Sequence, residues 1–381
     1  MLVFYGVGVT IGAGIFALVG EIVHVAGDHA PMAFLLAGLI AAATGFSYAL
    51  LVGVYPRAAG EAVFVTIGMG PTTGRLVGLG VTLTAIISSA VIAIAFGGYL
   101  GTLVPLAQPV MVIGILLVLA TVAWLGVRES VAFAAGITLL EVGTLVAIAV
   151  AGSPMLADAS LWQRVATPPA HSGAWTAVFS ASVLAFFAFV GFEDLENMAE
   201  ETIDPKRVLP KAIALTLLIT VVLYVLIAMI AVALPDRGAL TGSRAPLAVV
   251  FERVTGWSGR PIAAVAAIAM VNGILIQIVM ASRVIYGMGR DGLVPAWLGR
   301  IDARRRTPSR AIALITVCIA ALALGVPLVG LAQTTSALTL SVFTLVNLAL
   351  WRIGGRTGAA PVLRRWRHAG LAGALLSAGL L

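Results

Sequence analysis

Long apolar runs, separated by short polar segments, recur along almost the whole chain. Ten of these runs are long enough to cross a bilayer as α-helices, for which about 20 residues suffice. We place the spans at 2–25, 31–54, 75–101, 109–126, 130–152, 174–197, 209–234, 259–286, 309–326 and 331–352. An eleventh run begins near 369 and is still apolar at Leu381, so we expect a chain shorter than the ancestral unit. Continuous apolar runs without period-two alternation favour an all-α polytopic membrane protein over a β-barrel.

The composition supports the same class. Of the 381 residues, 61% are hydrophobic and only 10% are charged, which is too few charges to cover the surface of a soluble domain of this size. The single cysteine, Cys318, lies in an apolar run and has no partner for an intramolecular disulfide. The first apolar stretch is too long for a cleavable signal peptide and lacks a basic start.

Positive charge is divided unequally between the two sets of loops. If the N-terminus is cytoplasmic, 18 of the 23 Lys and Arg residues lie in the inside loops, which follow the even-numbered spans. The positive-inside rule therefore predicts a protein of the cytoplasmic (inner) membrane with its N-terminus inside. This distribution explains the net charge of +7 without nucleic acid. The basic segment 302–310 is interpreted as a topology determinant beside anionic lipid headgroups.

The sequence carries no pattern for a metal, a cofactor or ATP. His24, His29 and His171 lie in or near outer loops and lack the spacing of metal ligands. No segment matches the phosphate-binding pattern G-x-x-x-x-G-K-[ST], and no nucleophile–base pair is recognisable. We therefore expect neither an enzyme nor an ATP-driven pump.

Two of the predicted spans are interrupted near their middle. Span 1 contains "GVTIGAGIFALVG" (8–20), with three glycines, and span 6 contains "SVLAFFAFVGFEDLENMAEE" (182–201), which turns acidic just after Gly191. Span 1 is the first of five and span 6 is the first of the next five. Halves with an odd number of spans must have opposite orientations. The pattern predicts inverted repeats at 1–152 and 153–352, with 353–381 as a cytoplasmic loop and the start of an additional span.

Broken helices expose main-chain groups that a substrate can use. An unwound segment at Gly12, Ala13 and Gly14 would offer N–H groups to a carboxylate, supported by the positive end of the following half-helix. Carbonyl groups released between Phe187 and Gly191 would accept hydrogen bonds from an ammonium group. The two breaks together therefore suit a zwitterion. The alternative is that the small residues only allow close helix packing.

Three segments in order carry a family resemblance. They are "GVGVTIGAGIFALVG" (6–20), "FFAFVGFEDLENMAEETIDPKRVLPKAI" (186–213) and "ASRVIYGMGRDGLVPAWLGRIDARRRTPSRAI" (281–312). They resemble the amino acid–polyamine–organocation permeases, and most closely the bacterial branch related to cationic amino acid transporters. The resemblance implies a ten-helix core of two inverted five-helix repeats with discontinuous helices 1 and 6. It also implies a re-entrant loop at "PRAAGEAVF" (56–64).

The resemblance also implies a substrate site. The substrate carboxylate would bind the first helix, its amino group would bind main-chain atoms of the sixth helix, and an aromatic side chain would act as a gate. The implied residues are Ile11, Gly12, Ala13, Gly14 and Ile15 for the carboxylate, Phe187, Ala188 and Val190 for the amino group, and Phe189 or Phe192 for the gate.

The third span departs from related permeases, which often carry an acid there. Segment 81–100 has only Thr84, Ser88 and Ser89 as a candidate side-chain pocket, which favours small neutral or polar substrates over Arg or Lys. Part of the family has a lysine on the fifth helix in place of a sodium ion, and here Glu141 occupies the corresponding place.

Two acids are candidates for ion coupling. Glu141 lies in an apolar span, where burial disfavours the charged carboxylate, so it can bind and release a proton or instead hold another helix. Glu193 lies just after Gly191 and either pairs with a substrate amine or holds the unwound segment.

These observations give one main hypothesis and two alternatives. We expect a secondary transporter of L-amino acids that works by alternating access in the bilayer, either coupled to protons by symport or antiport or operating by exchange. The alternatives are a membrane sensor or scaffold that binds an amino acid without moving it, and a polyamine or organocation permease.

Overall fold

The computed structural model describes residues 2–57, 60–126, 131–290, 294–302 and 304–381, with only the backbone for 131–134. Throughout these residues the regular structure is helical and no strand occurs. Eight stretches of the described chain are helical, long and apolar enough to cross a membrane, and the first of them, Leu2–Val54, holds two helices. The protein is therefore a multi-pass, all-helical membrane protein.

The described residues up to Gly152 form six α-helices. They are α1 (Leu2–Ala26), α2 (Ala30–Val54), α3 (Gly60–Met69), α4 (Pro71–Gly101), α5 (Gln108–Leu125) and α6 (Val131–Gly152). A proline stands in the first turn of α2, α4 and α5, where its missing N–H breaks no hydrogen bond. The short helix α3 packs against α4. It contains the end of the predicted re-entrant segment, of which Ala58 and Ala59 lie outside the described residues.

The described residues after Gly152 form nine further α-helices. They are α7 (Ala159–Ala166), α8 (Ser172–Phe187), α9 (Pro205–Ala233), α10 (Arg237–Thr241), α11 (Pro246–Thr255), α12 (Arg260–Arg290), α13 (Ser309–Gly325), α14 (Leu328–Gly354) and α15 (Pro361–Leu380). A 3₁₀ helix, Phe192–Met198, follows α8 after a short turn.

The last helix begins earlier than the sequence predicted. The eleventh apolar run was expected from about 369, whereas α15 begins at Pro361. Its first turns carry Arg364 and Arg365, which are exposed. Leu363 is buried. Hydropathy detects only the apolar part of such a helix, because basic residues on the exposed face lower the average.

Helix α1 lies at the centre of the protein. It contacts α6, α8, α9 and α12. Ile11, Ile15 and Phe16 are fully buried within it. Peripheral α5 instead exposes Leu117 at 61%, as expected for a helix that faces lipid. The middle of α1 is therefore surrounded by protein, and any open space beside it is an internal cavity.

Candidate functional site

Helix α1 is interrupted at Gly12. This residue has φ 20° and ψ −142°, outside the helical region, and it divides α1 into two helical halves. Glycine adopts such a conformation readily, whereas other residues rarely do. No heavy atom lies within 4 Å of the position that a Cβ would occupy at Gly12. The main chain at this break therefore adjoins open space.

A second interruption follows α8. The helix ends at Phe187, and Gly191, with φ 127°, precedes the 3₁₀ helix. A Cβ at Gly191 would lie 2.8 Å from the carbonyl oxygen of Val9. A Cβ at Gly14 would overlap the main chain of Ala188. The two breaks therefore touch each other through main-chain atoms, and both glycines are required by this close approach.

One tyrosine connects the two breaks. The hydroxyl of Tyr224, on α9, lies 2.9 Å from the carbonyl oxygen of Ala188, 3.0 Å from that of Thr10 and 3.3 Å from that of Ile11. The Tyr224 side chain is fully buried. Carbonyl groups at both breaks therefore lie within hydrogen-bonding distance of the same buried O–H donor. A buried carbonyl without such a donor would lower the stability of the fold. Sequence reasoning missed Tyr224, although a tyrosine inside an otherwise apolar span was a visible signal.

A cavity of about 320 Å³ opens beside the first break, among α1, α4, α6, α8 and α12. It brings together seven of the predicted site residues. They are Gly12, Ala13, Gly14, Ser88, Glu141, Phe187 and Val190. It also contains polar residues that the sequence analysis did not select. They are Tyr5, Thr10, Thr138, Asp194, Asn272 and Gln277.

The other predicted residues lie outside the cavity lining. They are Ile11, Ile15, Thr84, Ser89, Ala188, Phe189, Gly191, Phe192 and Glu193. Of the two candidate gates, Phe189 packs against Tyr224 with ring centroids 5.1 Å apart. Phe192 packs between Tyr48 and Phe343, at 5.9 and 5.4 Å. In this conformation both aromatic rings belong to the packed core.

The predicted side-chain pocket on α4 is tied to α12. Gln277 accepts hydrogen bonds through Oε1 from the hydroxyls of Ser88 and Ser89, the latter at 3.1 Å. Ser88 and Gln277 line the cavity, whereas Ser89 lies outside its lining. The Ser89 hydroxyl is shared between Gln277 and the carbonyl of Ala85. The amide group of Gln277 is therefore held at the cavity wall. Its position in the apolar segment 270–280 was a signal that could have identified it.

Glu141 is 3% exposed and lines the cavity from α6. Helix α6 packs against α1 and α12. The Glu141 carboxyl group interacts electrostatically with Tyr224.

A group of acids lies next to the second break. Glu193 accepts a hydrogen bond from the Gly191 N–H at 2.9 Å, so it holds the turn after α8. Glu196 accepts a hydrogen bond from the Glu61 N–H at 2.8 Å, which joins α3 to the 3₁₀ helix. Tyr48 donates to the Glu61 carboxyl group at 3.3 Å. In the described parts of the chain, no group of His, Cys, Asp and Glu side chains has the arrangement of a metal site.

The half of α1 that follows the break is held by Tyr99. Tyr99 donates its hydroxyl to the carbonyl of Phe16 at 2.7 Å and accepts the N–H of Leu247 at 3.2 Å. On the other side, Leu2 and Tyr5 line the cavity. The α1 residues that line the cavity run from Leu2 to Gly14, at the break and on its N-terminal side.

Comparison with known proteins identifies relatives over nearly the whole chain. A family model described as amino acid permease matches residues 1–379. The branched-chain amino acid permease BcaP of Bacillus subtilis is 28% identical over 371 residues, covering 92% of this chain and 78% of that protein. An uncharacterized transporter of Mycobacterium tuberculosis is 30% identical over 356 residues, with 92% and 79% covered. The vacuolar cationic amino acid transporter 4 of Arabidopsis thaliana is 30% identical over 370 residues, with 92% and 61% covered.

Proposed function

The chain belongs to the amino acid permease family, and from this premise we propose that it is a secondary transporter of L-amino acids in the cytoplasmic (inner) membrane. It is a transporter and not an enzyme. The observation that supports a small zwitterionic substrate is the cavity where the two breaks meet, which is lined by both Gly12 and Val190.

Each end of the substrate has a complementary set of main-chain groups. The carboxylate binds N–H groups at Gly12, Ala13 and Gly14, where the second half of α1 begins and its dipole is positive. The ammonium group binds carbonyl oxygens of Phe187 and Val190, which line the cavity. The carbonyl of Phe187 also accepts the Val190 N–H at 3.2 Å and keeps a second lone pair for the substrate. The carbonyl of Ala188 lies outside the cavity lining and accepts the hydroxyl of Tyr224, so its role is to hold the break in shape.

Neutral L-amino acids with small or polar side chains are the proposed substrates. Ser88, Gln277 and Asn272 give the cavity wall hydrogen-bonding groups, and α4 carries no acid in this region. A cationic side chain would need a dedicated carboxylate. Of the two acids that line the cavity, we assign Glu141 to proton binding, and Asp194 already accepts a hydrogen bond from Asn197. The relatives are named for branched-chain and for cationic amino acids, so both classes belong in the test.

Alternating access follows from the proposed architecture. We take 1–152 and 153–352 as inverted repeats, with 353–381 outside them, and α1 and the α8 segment as the discontinuous helix of each repeat. With the N-terminus inside, the cavity lies on the cytoplasmic side of the break in α1, and we assign closure of the outer side to the Tyr99–Phe16 contact. Opening of that contact and closure around Tyr5 would give the outward-facing state.

Reconstitution in liposomes tests the proposal. Purified full-length chain should take up or exchange at least one labelled neutral L-amino acid, and an imposed pH gradient should drive accumulation if protons are coupled. Binding of an amino acid without flux would identify a sensor or scaffold instead. Flux of polyamines alone would identify an organocation permease.

A further inference from the structure

The outer surface of the protein carries a second concavity, a groove of about 740 Å³ between α2 and α9. It extends from Leu35 to Val54 along α2, which is about 28 Å at 1.5 Å per residue. This length is close to the hydrocarbon thickness of a bilayer, about 30 Å. The groove is separate from the substrate cavity and shares no lining residue with it.

Small residues on one face of α2 create the groove. They are Gly38, Ala42, Gly45, Ala49 and Gly53. Helix α9 approaches this face so closely that a Cβ at Gly38 would lie 2.6 Å from a methyl group of Val221. Larger apolar side chains stand on both sides, with Leu39 63% exposed and Leu218 60% exposed. The result is a long apolar groove that is open to the surrounding lipid.

One end of the groove is positively charged. Lys206 and Lys211 line it there and are exposed. In the described parts of the chain, neither lysine forms an ion pair. The nearby acid Asp204 pairs with Arg207 at 3.8 Å. Lys206 also stands in the first turn of α9, where the helix dipole adds positive potential. Two unpaired cations therefore lie where an apolar groove reaches the membrane surface.

We propose that this groove binds an anionic phospholipid, with an acyl chain in the crease between α2 and α9, over the exposed Ala42 and Ala214, and the headgroup phosphate at Lys206 and Lys211. An anionic headgroup compensates the two lysines, and the acyl chain covers apolar surface that has no protein partner. A second copy of the chain is a poorer occupant. A two-fold contact through this face would place the same lysines of both copies near each other.

Native mass spectrometry of the full chain in detergent tests the charge requirement. The parent should bind phosphatidylglycerol more tightly than phosphatidylcholine of the same acyl chains. Each lysine near the headgroup contributes about 5-fold in affinity. K206Q/K211Q should therefore lose the preference for phosphatidylglycerol. R283Q/R352Q removes the same charge from exposed residues outside the groove and should keep it.

Groove-filling variants test the location. Ala42 and Ala214 are exposed and line the groove, so A42W and A214W should reduce binding of phosphatidylglycerol. A147W, an exposed alanine on α6 outside the groove, is the matched control. Circular dichroism and size-exclusion profiles verify that the variants fold.

Three results would overturn the proposal. They are equal binding of the two lipids by the parent, parental phosphatidylglycerol binding by folded K206Q/K211Q, and parental binding by folded A42W and A214W. A delipidated parent that dimerises, with A42W abolishing the dimer, would assign the groove to a second copy instead.

Discussion

The hydroxyl of Tyr224 lies 2.9 Å from the carbonyl oxygen of Ala188, at the point where α8 ends. The same hydroxyl is within 3.3 Å of Thr10 and Ile11 carbonyls on α1. A hydroxyl has one proton to donate, so it either alternates between hydrogen bonds to these carbonyls or forms a bifurcated hydrogen bond. Because the carbonyls belong to the two broken segments, Tyr224 fixes the distance between the proposed carboxylate and ammonium sites.

Replacing Tyr224 by Phe should therefore weaken both the fold and the site. The ring stays and only the hydroxyl is lost, so buried carbonyls lose their donor at a cost of about 1–3 kcal/mol. We expect a lower thermal unfolding temperature in detergent and a weaker stabilisation by substrate. Tyr286→Phe on α12 is the control. An unchanged unfolding temperature for Tyr224→Phe would mean that water replaces the hydroxyl.

The backbone at Gly12 offers a test of the first break that leaves packing intact. A Cβ there meets no atom within 4 Å, whereas a Cβ at Gly14 would overlap Ala188. Gly12→Ala should therefore fold, but the φ and ψ of Gly12 are rarely adopted by L residues, which costs about 1–3 kcal/mol and favours a different local backbone. We expect substrate affinity about 10-fold lower. Gly143→Ala, a glycine on α6 with equally open space, is the control for helix effects. Parental affinity in Gly12→Ala would contradict a role of this backbone in carboxylate binding.

The sequence predicted the membrane helices well, because long apolar runs report them directly. It also selected Gly12 and Gly191, because glycines and a sudden change to acidic residues are local features. It did not select Tyr224, Asn272 or Gln277, since each is a single polar residue whose role depends on which helices become neighbours. The contact of Gln277 with Ser88 joins residues far apart in sequence, and no local pattern announces it. The bond between Glu61 and Glu196 was missed for the same reason.

Ser88 should influence which side chains are transported. Its hydroxyl bonds Gln277 and lines the cavity. Ser88→Ala leaves Gln277 with the Ser89 contact alone and removes one polar group from the cavity wall. We expect transport of serine relative to alanine to fall about 10-fold in kcat/KM, the order of one lost hydrogen bond. Thr84→Ala, one turn earlier on α4 and outside the cavity, is the matched control. An equal effect in both variants would indicate a general disturbance of α4.

Glu141 is the proposed proton site. Glu141→Gln resembles the protonated carboxyl group, so it should keep substrate binding and counterflow exchange but lose accumulation driven by a pH gradient. Glu21→Gln, a partly exposed acid on α1, should keep all three activities. The measurement is uptake into liposomes with and without the imposed gradient. If Glu141→Gln still concentrates substrate as the parent does, coupling lies elsewhere, and Glu193 is the next residue to test.

Glu196 allows two substitutions with opposite expected signs. Its Oε1 accepts the Glu61 N–H, while its Oε2 is buried without a partner, and the carboxyl groups of Glu61 and Glu193 interact with it electrostatically. Glu196→Gln keeps the acceptor, removes the acid and adds a donor beside the Glu61 carboxyl group. Glu196→Ala removes the acceptor and leaves the Glu61 N–H unpaired, at about 1–3 kcal/mol.

We therefore expect the unfolding temperature at neutral pH to rise in Glu196→Gln and to fall in Glu196→Ala. The sign for Glu196→Gln does not depend on the protonation state of the parent. If Glu196 is ionised in the folded protein, its acidic neighbours repel it. If it is neutral, folding at neutral pH requires it to take up a proton. Glutamine avoids both costs. The exposed Glu201→Gln should change the temperature little. Equal losses in the Gln and Ala variants would mean that the Glu196 carboxyl group itself, as an acid, stabilises the junction of α3 with the second break.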